Sequence, residues 1–264
     1  MGEGKRYRLG RLFGADGRAL ILPVDHGLML GRIPGLENPV QVIRGLLALG
    51  SDGMLLSPGV ARRTVDLFAR RDAPARILTL DTFFRAPGES AGGSDLVATM
   101  AEAARLGVDA VKMIMVWNVP SRERQDTVTR IGRVVSQADR FDLPVMVEPL
   151  VIDEPRSPEN SAVEGHAARI AMEAGADIIK IGYPGPDLMA AWTAELGVPV
   201  VVLGGPRSGD PEGVLTLASD AIAHGASGIV IGRNVWQREP SVTRDLVREL
   251  HRITHGPPAW AGAG

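Results

Sequence analysis

Eight short runs dense in Val, Ile, Leu and Met recur along the chain: ALILPVDHG, GMLLSPG, ARILTLDTFF, AVKMIMVWN, PVMVEPLVI, DIIKIGYPG, PVVVLGG and GIVIGRNVW. They are apolar at consecutive rather than alternate positions, the pattern of strands covered on both faces in a parallel sheet. Between them, in VQVIRGLLALG, DLVATMAEAARLG, AARIAMEAGA and GVLTLASDAIAHGA, apolar residues return every three or four positions and predict amphipathic helices. Eight such units in 264 residues predict a single (β/α)8 barrel. A doubly wound sheet is the alternative, but no GxGxxG follows the first strand and the pattern runs on without a reversal. The barrel is assigned to residues 1–255, and the Gly-, Pro- and Ala-rich end GPPAWAGAG to a flexible tail, 256–264.

A finer repeat marks the entry to strands 2, 4, 6 and 8: GSDGML from Gly50, GVDAVK from Gly107, GADIIK from Gly175 and GASGIV from Gly225. Each has a helix-ending glycine, a small or capping residue two positions on, and then the strand. Inward side chains of such a barrel stack in layers supplied by alternate strands. If the junctions share one geometry, the residues five after each glycine, Leu55, Lys112, Lys180 and Val230, form one layer. Lys112 and Lys180 then lie two strands apart, about 10 Å between backbones at a strand spacing of ~4.8 Å.

Charge adds weight to those two lysines. Of 29 Lys and Arg, only Lys5, Lys112 and Lys180 are lysine, and two of the three interrupt apolar strands. A buried ammonium costs several kcal/mol unless paired. Arginine cannot lose its proton, whereas a desolvated lysine can become a neutral amine, a potential nucleophile. Glu148, the one charge in strand 5, lies between them. The trio is a structural Lys–Glu–Lys network or a catalytic one, and two lysines in one layer flanking a carboxylate favour catalysis.

The remaining composition mostly excludes. A formal charge of −2 gives no reason to expect nucleic acid or an anionic membrane as partner. The absence of cysteine removes disulfides, thiolate metal sites and a cysteine nucleophile, and fits a cytoplasmic protein. No apolar run reaches the roughly 18 residues of a membrane span, and the start MGEGKRYRLGRLFG lacks a signal peptide's apolar core. No histidine spacing is taken as a metal-binding pair, so neither a catalytic metal nor a cofactor is expected.

Strand ends carry the other candidates. Gly204 and Gly205 close strand 7, and Gly232 and Arg233 close strand 8, so backbone N–H groups and a guanidinium meet where barrels commonly hold phosphate. Asp25 at the end of strand 1 is an acid or base near substrate, or a loop cap. His26 is a binding or structural hydrogen-bonding residue, and Tyr183 a substrate contact or a packed rim residue. Asp81 and Asn118 also stand at strand ends, within reach of substrate hydroxyls.

Over residues 6 to about 255 the sequence resembles the class I aldolases of the DeoC, archaeal-type fructose-bisphosphate aldolase and LacD grouping. RLGRLFGADGRALILPVDHG is similar to the entry and first strand of the archaeal-type branch, ADIIKIGYPG to its lysine-bearing strand, and GGP with GASGIVIGRNVWQ to its phosphate-binding ends. VEPLVID and DAVKMIMVW depart from that branch, which tends to place a tyrosine acid after strand 5. They resemble instead tagatose-bisphosphate and sulfofructose-phosphate aldolases, with a second lysine on strand 4 and a Glu-Pro on strand 5. The resemblance implies a metal-independent class I aldolase acting on a phosphorylated ketose, fructose- or tagatose-bisphosphate-like with dihydroxyacetone phosphate as one half, with Lys180 as Schiff-base nucleophile and a ring-like homo-oligomer. The alternatives are a transaldolase-like synthase of the 2-amino-3,7-dideoxyheptulosonate type or a related acyl-transferring member, and a catalytically silent sugar-phosphate-binding barrel.

Overall fold

The computed structural model describes residues 2–83, 94–152 and 157–256. Eight parallel strands, β1 (Ala19–Pro23), β2 (Gly53–Leu56), β3 (Ala75–Thr79), β4 (Ala110–Val116), β5 (Val145–Leu150), β6 (Ile178–Gly182), β7 (Val200–Leu203) and β8 (Gly228–Val230), close into a barrel in sequence order. Helices including Pro39–Leu46, Ser121–Asp139, Pro158–Glu173, Pro186–Leu196, Pro211–Ala223 and Pro240–His255 alternate with them. This is the (β/α)8 architecture. The expected tail lies outside the described residues beyond Gly256.

The register fixes the heights of side chains. Starting at Leu55 and stepping one residue toward the C-terminal end at each neighbour, the pairing leads to Leu78, Lys112, Val147, Lys180, Val202, Val230, Leu22 and back to Leu55. That closure corresponds to a shear of about 8, the value of this barrel type. The even-strand members point inward, where Leu55 and Val230 pack in the inner cluster, while Leu22, Leu78, Val147 and Val202 join the outer cluster under the helices. Lys112 and Lys180 thus share the layer expected of them. One residue higher on the odd strands come Pro23, Thr79, Glu148 and Leu203.

The junction repeat has a hydrogen-bonding reason. Gly50, Gly107, Gly175 and Gly225 all have positive φ, which glycine adopts without a Cβ clash. Two residues on, the carboxylates of Asp52, Asp109 and Asp177 accept the N–H of Leu20, Arg76 and Val145 near the starts of β1, β3 and β5. Donors that begin a strand without a ladder partner are thereby satisfied.

Those carboxylates also anchor the elements closing the N-terminal end of the barrel. The helix Glu3–Leu12 places Leu12 in the inner cluster, pairs Lys5 with Asp177 and Asp139, and pairs Arg11 with Asp109. At the end of the last helix His255 lies 2.9 Å from Asp16 and 3.0 Å from Asp52. The third lysine is therefore a structural ion-pair partner far from the C-terminal mouth. His251 and His255 do stand four residues apart, a spacing that metal-binding pairs use, contrary to the sequence expectation of no such pair. Both nitrogens of His255 are engaged by carboxylates, and among the described residues no group of three or more His, Asp or Glu is arranged to hold a metal ion.

Candidate active site

At the C-terminal mouth of the barrel Lys112, Glu148 and Lys180 converge. Lys180 Nζ donates to Glu148 Oε1 at 2.6 Å, and Lys112 Nζ lies 2.8 Å from Glu148 Oε2. One carboxylate, raised by a single residue above the lysine layer, thus bridges two ammonium positions. Asp25 extends the network: its Oδ2 accepts from Thr79 Oγ at 2.6 Å and lies 3.7 Å from Lys112 Nζ. Lys112 is fully buried, and Asp25, Glu148 and Lys180 nearly so.

The electrostatics separate the two lysines. Burial opposes a proton on either, but for Lys112 the carboxylates of Glu148, Asp25 and Asp81 outweigh it and raise its pKa. Lys180 lies below the ordinary lysine value, through burial and the nearby Lys112 charge acting against Glu148 and Asp25. Asp25 and Glu148 are held well below the usual carboxylate range: burial pushes them up, and Lys112 foremost among the neighbouring cations overrides it. The arrangement is a fixed cation, two fixed anions and one lysine disposed to lose its proton.

These groups line a cavity of about 520 Å³ together with His26, Gly204, Gly205, Gly232 and Arg233. The glycine–arginine end is shaped by close approach. A Cβ on Gly232 would stand 2.8 Å from Pro23 O and 2.9 Å from His26 Cε1, so only glycine fits there. The Gly204 N–H, expected to be free for an anion, already donates to Val230 O because the ladder runs one residue past β7. Among the described residues Gly205 and Gly232 show no such bond, and the buried Arg233 Nε has no partner. His26 Nδ1 likewise makes no hydrogen bond, lying 3.7 Å from Asp25 Oδ1, and the ring packs edge-on against Trp236, whose Nε1 donates to Pro23 O. Burial first, then the cations Lys180 and Arg233, bring His26 down to about 4 against the pull of Asp25, so the ring is neutral at neutral pH.

Three candidates take other roles. Tyr183 is absent from the cavity lining: its hydroxyl bonds to Asp220 on the helix Pro211–Ala223 and its ring packs on the outer core. Asp81 accepts the Ile114 N–H and the Ser94 hydroxyl, and burial pushes its pKa up to about 6. Asn118 exchanges two hydrogen bonds with the backbone of Ile152, tying the end of β4 to the end of β5. Asp81 and Asn118 thus have their polar groups engaged by the protein.

Other functional neighbours carry no local signal. Thr79 is one more polar residue in a strand until the register sets it beside Asp25. Asn234 follows the Gly-Arg pair and holds the loop after β7, donating to Gly204 O and Pro206 O while accepting from Ser208 N. Glu164 reaches in from the helix Pro158–Glu173 to accept the Gly182 N–H, two residues beyond Lys180.

A parallel barrel with a buried lysine paired to a carboxylate at its C-terminal mouth, its pKa below the ordinary lysine value, is compatible with Schiff-base aldolase chemistry. The chain belongs to the DeoC/LacD aldolase family, whose model matches residues 19–238. It is similar to 2-amino-3,7-dideoxy-D-threo-hept-6-ulosonate synthase of Halobacterium salinarum, 34% identical over 99% of this chain and 97% of that one. It is 33% identical to 2-amino-4,5-dihydroxy-6-oxo-7-(phosphonooxy)heptanoate synthase of Streptomyces griseus, over 98% of this chain and 96% of that one. Among solved structures it matches an archaeal fructose-1,6-bisphosphate aldolase whose catalytic Lys is covalently bound to the carbinolamine intermediate. The TM-score is 0.79 at 28% identity, covering 96% of this chain and 100% of that one.

Proposed function

We propose that this aldolase makes or breaks a carbon–carbon bond in a phosphorylated ketose through a Schiff base on Lys180, with dihydroxyacetone phosphate as one half. The observation that carries the reading is the bridging of Lys180 and Lys112 by Glu148 in the cavity that also contains the Gly205, Gly232 and Arg233 anion end. Lys180 as a neutral amine adds to the ketone carbon. Glu148 carries the proton that nitrogen gives up to the former carbonyl oxygen, making the carbinolamine hydroxyl, and then delivers a second proton drawn from solvent, so that the hydroxyl leaves as water and an iminium remains. The iminium draws in the electrons of the breaking bond, the electrophilic task that a metal performs in other aldolases.

Lys112 remains charged throughout and keeps Glu148 ionised between proton transfers. Asp25, aligned by Thr79, holds or deprotonates a substrate hydroxyl. Gly205, Gly232 and Arg233 bind the phosphate, Gly204 giving the loop its close packing and His26 completing the wall as a neutral hydrogen-bonding group. The same reading assigns the enzyme to the cytoplasm as a homo-oligomer. No described helix is long and apolar enough to cross a membrane.

The test is borohydride reduction in the presence of dihydroxyacetone phosphate, followed by peptide mass analysis. The expected adduct is on Lys180, and Lys180→Arg abolishes both adduct and turnover. An adduct on Lys112 or Lys5 overturns the assignment. A synthase of the kind named for the Halobacterium relative is the second reading, favoured by the 34% identity over nearly the whole chain. It also uses this site, and the ketose that yields the trapped adduct separates the two.

A further inference from the structure

The cavity is chemically lopsided. Its anion end lies beyond β7 and β8, and diametrically across the barrel beyond β3, β4 and β5 stands an apolar cluster of its own. Ile114, Val116 and Val119 form the base of that cluster, with Met29, Leu150 and Ile152 packed against it. Met29, Leu150 and Ile152 also line the cavity, with Leu30 and Val151 beside them, and Leu30 is half exposed at the rim.

The charges follow the same division. Among the described residues lining the cavity the cations are Lys112, Lys180 and Arg233, and the anions Asp25, Glu148 and Glu164. Lys112 and Lys180 are matched by Glu148 and Asp25, which leaves Arg233 at the anion end as the cation without a carboxylate partner. A phosphate bound there sets the ketone near Lys180 and projects the rest of the chain toward the apolar wall. Among the described residues a second phosphate dianion would meet Met29, Leu150 and Ile152, whose side chains offer it neither hydrogen bonds nor countercharge, while Asn160 and Ser161, which also line the cavity, carry no charge.

We propose that the aldehyde half of the substrate carries no phosphate and is a short, uncharged group recognised by the Met29, Leu150 and Ile152 wall, so that the enzyme works on ketose monophosphates rather than bisphosphates. This rests on the assignment of the phosphate to the Arg233 end and of the Schiff base to Lys180.

The experiment has two arms. Trapping with dihydroxyacetone phosphate and borohydride tests the site alone, whatever the aldehyde. Condensation of dihydroxyacetone phosphate is then measured with propanal, with glyceraldehyde and with glyceraldehyde 3-phosphate. The expected kcat/KM for the better of the two uncharged aldehydes is about 10-fold or more above that for the phosphorylated one, the ratio that one unmet charged contact of about 1.4 kcal/mol produces. In Ile152→Arg, or in Leu30→Arg at the exposed rim, the ratio falls toward unity because the wall has gained a countercharge. A Lys180 adduct combined with an equal or greater kcat/KM for glyceraldehyde 3-phosphate overturns this proposal and leaves the Schiff base standing. Absence of the adduct overturns the site assignment itself, and this inference with it.

Discussion

Lys112 and Lys180 occupy one layer of the barrel two strands apart, touch the two oxygens of the same carboxylate, and are shifted in opposite directions. The asymmetry comes from their surroundings. Lys112 has Glu148, Asp25 and Asp81 around it, whereas for Lys180 burial and the Lys112 charge prevail over Glu148 and Asp25. A charged lysine thus lowers the proton affinity of its neighbour while holding the intervening carboxylate ionised.

Removing Lys112 therefore has a definite sign. Lys112→Met keeps most of the stem volume and deletes the cation, so the pKa of Lys180 rises and the acidic limb of the kcat/KM profile moves to higher pH. Glu148, released from Lys112, favours a proton on Lys180 further and enlarges the shift. One pKa unit corresponds to about 1.4 kcal/mol, well within reach of a pH–rate profile. A limb that stays put or moves to lower pH would reassign Lys112 to substrate binding or proton transfer.

Glu148→Gln preserves shape and removes the bridge. Loss of a general acid–base residue lowers kcat by roughly 10²- to 10⁴-fold. A buried pair broken on one side also destabilises the fold by about 3 to 5 kcal/mol, here as the Lys112 ammonium left facing an amide. Comparison of single-turnover trapping with thermal melting separates the two losses, and unchanged kcat in a folded variant would remove Glu148 from the mechanism.

Arg233→Ala weakens a phosphorylated substrate by about 1.5 to 3 kcal/mol, the worth of a charge-assisted hydrogen bond, and barely alters an unphosphorylated analogue. The difference appears in KM and in inhibition by inorganic phosphate. Equal loss for both substrates would show that Arg233 supports the barrel instead.

Exhaustive chelation leaves turnover intact if the iminium is the electrophile. Activity lost on treatment with a chelator and restored by zinc would instead place this enzyme with metal-dependent catalysis.

A last prediction concerns stability at the opposite end of the barrel. Hydrogen bonding to Asp52, and then the charges of Asp52 and Asp16, raise the His255 pKa against burial. A histidine whose folded pKa is raised contributes stability that is fully present below its unfolded value of about 6.5 and is lost as pH rises through the folded value. Wild type is thus expected to exceed His255→Leu by on the order of 1 kcal/mol near pH 6, some 2 to 4 °C in Tm for a chain of this size, with the gap closing in alkaline buffer. A gap independent of pH would show that packing, not charge, fixes His255.

The sequence by itself determined the barrel, the number and order of its eight strands and the common height of Lys112 and Lys180. Runs apolar on both faces and the Gly-x-Asp junctions are local features, and a junction repeated in the same geometry carries its strand to the same level each time. The register and the packing between distant segments decided what those residues do. Thr79 meets Asp25, and Asn234 shapes the loop after β7, across 54 and 30 residues of sequence that no local pattern connects. Tyr183 bonds to Asp220, Asp81 is satisfied by Ser94 and Ile114, and the Gly204 N–H is taken by Val230, each because a partner arrives from another segment. The opposite shifts of the two lysines belong to the same level, since a pKa sums burial and the distances to every neighbouring charge, and the barrel sets those distances only when it closes.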